Sequence, residues 1–169
     1  THQELLETQK RLHTLSYTRF IPLLGAYYSD ADHLTNAAVY GVEATQITVD
    51  AILPYADVLG LKGQGSFVLG SAEERIKKAV ETLDVITPKI SEIQEKVTLV
   101  KKEVDQVDPN RYPDIGKYKV RSQLIQAKSI VGEMETFVTD AKPLVEVLPD
   151  LLGVEKEKKY LVIFQNDKE

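Results

Sequence analysis

The residues whose types could do chemistry are three histidines and the carboxylates near them: His2, His13 and His33. His33 closes the run "SDADH" (29–33), where Asp30 and His33 stand three apart and share one face of a helix. Di-metal sites in helical bundles need two acid-x-x-His units and two further carboxylates. This chain offers one unit, so its spacing points away from a metal centre. The simpler reading is that Ser29 or Asp30 caps a helix whose positive end the acids favour. His2 stands at the start of the chain, and His13 lies beside Leu12 in the first helix.

Other reactive constellations are missing. There is no Cys, hence no disulfide, thiolate ligand or Cys–His pair. Neither G-x-S-x-G nor H-E-x-x-H occurs. Gly63 and Gly65, in "GLKGQGSFVLG" (60–70), precede a helix, but the strand and glycine spacing of a nucleotide loop are absent. The sequence therefore leads us to expect no catalytic residue, no cofactor and no metal.

The elements that would position any site are helices. Apolar or small residues recur in steps of three and four at Ala31, Leu34, Ala38, Val42, Thr45, Val49, Ile52, Ala56 and Leu59. They recur again from Ile76 through Val80, Leu83, Ile86, Ile90, Ile93, Val97, Val100 and Val104 to Val107. A third series runs Val120, Leu124, Ala127, Val131, Met134, Val138, Ala141, Val145 and Leu148. A 3.5-residue period is the mark of knobs-into-holes packing, and short connections make the helices antiparallel neighbours. "SAEE" from Ser71 is a capping box, and Glu73–Lys77, Glu74–Lys78 and Glu92–Lys96 are expected pairs on the wet face. "VDPNRYP" (107–113) is a turn, and Gly153 suits the end of the last helix.

A shorter first helix, about residues 2–20, stops near "FIPLLG" (20–25), where Pro22 removes a helical donor; we expect it to fold back. Pro54, Pro88 and Pro143 are expected to kink the long helices. The fold class is thus all-α: an elongated antiparallel bundle of three long helices plus a shorter one over 1–153. The second helix has no Lys or Arg and little polar coat, so it should be central. Otherwise Tyr27, Tyr28, Tyr40 and Tyr55, with Phe67 in the glycine-rich loop, form a candidate partner surface.

Composition narrows the partners. Net charge is −5, and residues 1–60 hold 3 basic and 7 acidic side chains, which argues against nucleic acid. No apolar run approaches the ~20 residues of a membrane span. A protein partner or self-association is expected, with membrane contact only through a segment outside this chain.

The final residues, "KKYLVIFQNDKE" (158–169), read as a β-strand with no partner strand in sight. "FIPLLG" before an Ala-rich helix, and "LPDLLGVEKEKKYLVIFQNDKE" (148–169), resemble the bacterial domain-of-unknown-function family 4012. The terminal motif includes Tyr160, Asn166 and Glu169. The resemblance implies a membrane-anchored extracytoplasmic protein. It also implies that residues 154–169 are a linker and the first strand of a truncated downstream α/β domain. It implies no settled activity. The expected function is a non-catalytic stalk or interaction module of a bacterial cell-surface protein. The rivals are a ligand-sensing bundle and an accessory region of a cell-envelope enzyme whose catalytic part lies beyond Glu169.

Overall fold

The structure is a computed structural model in which residues 1–56, 72–151, 153, 156 and 158–161 are described. It is mostly helical. The described helices are α1 (His2–Thr14), α2 (Leu24–Ile52), α3 (Ala72–Asp105) and α4 (Val120–Leu151). At 1.5 Å per residue, α3 is about 50 Å long.

Polar pairs fix the directions. Gln9 Nε2 donates to Asn36 Oδ1 at 2.6 Å and His13 Nε2 lies 3.1 Å from Asp32 Oδ1, while His2 Nε2 stands 3.6 Å from Glu43 Oε1. Numbers rise along α1 as they fall along α2, so α1 folds back antiparallel, as expected. His33 Nδ1 lies 2.6 Å from Glu103 Oε2, and Lys96 Nζ lies 2.8 Å from Glu43 Oε2, setting α3 antiparallel to α2. Gln94 Nε2 donates to Thr139 Oγ1 at 3.2 Å. Lys128 Nζ donates to the carbonyls of Asp105 (3.2 Å) and Val107 (2.6 Å), capping the α3 C-terminus from α4.

Contacts are sequential among the described residues: α1 on α2, α2 on α3, α3 on α4. α2 is therefore central, covered on two sides. The chain exposes 12548 Å², whereas a compact monomer of 19.0 kDa exposes about 8,400 Å². The buried apolar residues are small: Ala37, Val39, Ala44, Ala51, Ala56, Val97, Val104 and Val107. Small side chains bring helix axes close, and a Cβ added at Gly41 would meet Val100 Cγ2 at 3.9 Å.

The α3 stripe is covered wherever its side chains are described, from Leu83 to Val107. The α2 stripe is not. Leu34, Thr45 and Val49 are exposed. Asp30, Ala37, Ala44 and Ala51, seven apart, are buried one residue, about 100°, from the expected stripe, and Val39 is buried on the other side of it. The reason is that α2 serves two neighbours through polar pairs. Asp32 and Asn36 turn to α1, Glu43 reaches both α1 and α3, and Asp30 and His33 turn to α3 and the segment after it. In α4, Leu124, Val131, Val138, Ala141, Val145 and Leu148 are half-buried, but Val120, Ala127 and Met134 are exposed, and no described residue is buried.

Several local expectations change. α2 begins at Leu24, so neither Ser29 nor Asp30 caps it. Lys96 pairs with Glu43, and Glu92 takes Lys89 instead, with Nζ 2.9 Å from Oε1. α3 runs through Pro88, α4 through Pro143 and Pro149, and Pro54 falls in a 3₁₀ turn, Leu53–Tyr55. Gly153 takes φ +75 beyond the end of α4, as expected. Ser71 and the loop that follows α2 lie outside the described residues.

The turn before α4 contains a 3₁₀ turn, Pro109–Arg111, and then a hairpin the sequence reading missed. β1 (Asp114–Ile115) pairs antiparallel with β2 (Tyr118–Lys119), with Asp114 opposite Lys119. Gly116 takes φ +54 at the first loop position, the pattern of a two-residue type II′ turn. At the chain's end, Tyr160 and Leu161 are exposed and belong to no strand. Residues 162–169 lie outside the described residues.

Candidate functional site

The α1–α2 turn and the α3–α4 turn meet at one end of the molecule, and the only buried carboxylate among the described residues joins them. Asp30 is 1% exposed. Its Oδ2 accepts from Arg111 Nη1 and from Tyr112 Oη at 2.9 Å. Tyr27 Oη donates to the Arg111 carbonyl at 3.3 Å, and its ring meets Tyr112 edge-on at 5.5 Å. Arg121 Nε donates to the Tyr112 carbonyl at 3.0 Å. Burial, then the bond to Asp30, pushes the Tyr112 hydroxyl up to about 12. The bond to Asp30 also holds the Arg111 guanidinium more firmly protonated. A buried carboxylate with a cation and a phenol on one oxygen is a saturated clasp. It fixes the start of α2 against the turn after α3.

Asp30 and His33 share a helix face but take different partners, Arg111 with Tyr112 and Glu103 respectively. Each is committed to its own neighbour. Among the described residues no group of three or more His, Asp or Glu side chains could hold a metal ion. All three histidines face a carboxylate on a neighbouring helix.

The tyrosines named from sequence turn to different neighbours. Tyr27 meets Tyr112, and Tyr40 lies under Lys96, whose Nζ is 5.6 Å from the ring centre. Tyr28 is half-buried. Tyr160 donates to the Leu151 carbonyl. The Tyr55 side chain and residues Phe67, Asn166 and Glu169 lie outside the described residues. A cleft lined by His2, Val42, Glu43, Gln46, Ile47 and Lys96 opens where α1, α2 and α3 approach one another.

Two surfaces were missed from sequence. On α4, Ala127, Ile130, Met134, Phe137, Ala141, Leu144, Leu148 and Leu151 repeat in steps of three and four beside the stripe that meets α3. Phe137, midway along, is 72% exposed. The signal was present: Ala127, Met134, Ala141 and Leu148 belong to the series expected from sequence, and only Ile130, Phe137, Leu144 and Leu151 lie outside it. The second surface is the "FIPLLG" turn. A 3₁₀ turn (Ser16–Phe20) leads to Leu23 at φ 71, a sparsely populated conformation for leucine. The Gly25 amide donates to the Ile21 carbonyl at 3.0 Å. A Cβ on Gly25 would lie 2.4 Å from the Arg19 carbonyl oxygen, so glycine is required. No helix among the described residues is long and apolar enough to cross a membrane.

No family model, no curated protein and no solved structure matches the chain.

Proposed function

We propose that this chain is a helical interaction module of a bacterial extracytoplasmic, membrane-associated protein, with no catalytic step of its own. The observation that supports it most is the second apolar register of α4. From Ile130 to Leu151 it extends about 32 Å at 1.5 Å per residue. Ile130, Met134, Phe137, Leu144 and Leu151 are exposed in the single chain, where a seam with this period would otherwise seat another helix. On this reading a protein partner, or a second copy, covers α4. The three helices of 29, 34 and 32 residues form a spacer with docking surfaces along its length. The extracytoplasmic placement rests on the likeness of residues 20–25 and 148–169 to family 4012.

The chain has no cysteine, so Phe137→Cys creates a unique thiol. That thiol reacts quickly with a membrane-impermeant maleimide in the isolated chain. In cells carrying the whole protein it reacts at least tenfold more slowly than Lys10→Cys on α1. Equal protection at the two positions sinks the reading. Failure of Lys10→Cys to label from outside sinks the placement.

The ligand-sensing reading draws on the cleft at His2, Val42, Glu43, Gln46, Ile47 and Lys96, whose mainly apolar lining with a few polar groups suits a small amphipathic molecule. A specific ligand there raises the melting temperature by mass action, and Glu43→Gln removes that rise.

A further inference from the structure

The end of the molecule held by the Asp30–Arg111 clasp carries two convex tips with apolar residues pointing into solvent. On the α1–α2 tip, Phe20 is 87% and Leu23 83% exposed, with Tyr17 beside them. On the β1–β2 tip, Ile115 and Tyr118 are each 65% exposed. Tyr27 against Tyr112 places both tips at the same end. Leu23 is costly twice, because its backbone takes a positive φ and its side chain stays in water.

Charge at this end runs opposite to the chain's net −5. Arg19, Lys117 and Lys119 are exposed; none is within salt-bridge distance of a described carboxylate, though Asp114 stands opposite Lys119 across the hairpin and feels its charge. Lys117 Nζ sits 5.2 Å from the Tyr118 ring centre. The nearby acids are engaged within the fold. Asp30 holds Arg111 and Tyr112, Asp32 holds His13, Asp108 accepts from the Asn110 amide, and Asp114 accepts from Ser122.

We propose that this end rests on an anionic lipid surface, with Phe20 and Leu23 entering the interface and Arg19, Lys117 and Lys119 at the headgroups. Aromatic side chains mixed with cations suit the headgroup layer. A deformable interface accepts two separate convex tips, whereas a protein partner would need a matching hollow for each. Three cations beside so much apolar surface do not suit a nucleic acid. The inference goes beyond the interaction-module reading and does not depend on it. It also departs from the expectation that membrane contact comes only from outside this chain.

The chain has no tryptophan, so Phe20→Trp is a clean reporter. Its emission should shift to the blue on adding vesicles of phosphatidylcholine mixed with phosphatidylglycerol, and much less with phosphatidylcholine alone. Lys117→Gln with Lys119→Gln should weaken vesicle partition roughly thirtyfold, and added salt should weaken it further. Leu23→Gly should weaken partition while raising the melting temperature, because it relieves the backbone. Val49→Asp, at an exposed position on α2 away from both tips, should leave partition unchanged. No emission shift with either vesicle overturns the proposal and leaves a protein as the occupant. So does partition that responds to Val49→Asp and not to the tip variants.

Discussion

Asp30 is a charged residue in the phase of Ala37, Ala44 and Ala51, the small residues α2 buries. A carboxylate there must find a cation and donors or lower the stability of the fold. Asp30→Ala should cost about 1–3 kcal/mol, because it leaves the Tyr112 hydroxyl and the partly exposed Arg111 guanidinium without their acceptor; chemical denaturation measures it. Tyr112→Phe removes one donor and should cost about 1 kcal/mol. The hydroxyl's pH dependence has a definite sign. Its folded value of about 12 exceeds the unfolded value of about 10, so the folded state holds the proton longer. The stabilisation is whole below about pH 10 and is lost as pH rises towards 12. Tyr112→Phe should flatten that alkaline loss, seen in melting temperature against pH. An unchanged slope would show that Tyr112 is neither buried nor bonded to Asp30 in the folded chain. The sequence contained the phase of Asp30 but not its partners, which lie 81 and 82 residues away. Pairing over that distance leaves no local pattern to read.

At the scale of elements, the α3 stripe was legible because both neighbours of α3 meet it through apolar side chains. Val97→Asp, at 6% exposure, should therefore be severely destabilising. Glu95→Ala, on the exposed side of the same helix, should shift stability by less than about 0.5 kcal/mol. Similar melting shifts would mean the face is misassigned. The α2 face was not legible, because Asp32, Asn36 and Glu43 point to α1 and any apolar count takes them for solvent-facing residues. The β1–β2 hairpin was missed for a related reason: two-residue strands are too short for alternation to show, and only Gly116 marks them. Two glycines separate turn from helix. Gly25→Ala drives a Cβ into the Arg19 carbonyl and should lower the melting temperature. Gly132→Ala, with nothing within 4 Å of the added carbon, should raise stability by about 0.5–1 kcal/mol through helix propensity.

At the scale of the whole molecule, helices that touch only their neighbours in sequence have no shared centre. Stability then becomes a sum of adjacent interfaces, as in repeat arrays. The two outer members, α1 and α4, have no buried residue, while α2 and α3 hold the buried alanines and valines. Amide exchange should grade accordingly. α1 should exchange first and independently of the rest, α4 next, and the α2–α3 pair last, at the rate of global opening. A uniform protection factor across all four helices would contradict this. Because the main helix interfaces among the described residues join consecutive helices, most contacts other than the Asp30 clasp are local, and folding should be fast for a chain of this length. It should proceed by adding one hairpin to the next. A molecule assembled this way can lose its first or last helix and keep the remainder folded. An event that peels α4 away would leave the α2–α3 pair standing, so the outermost helix can be exchanged without unfolding the rest.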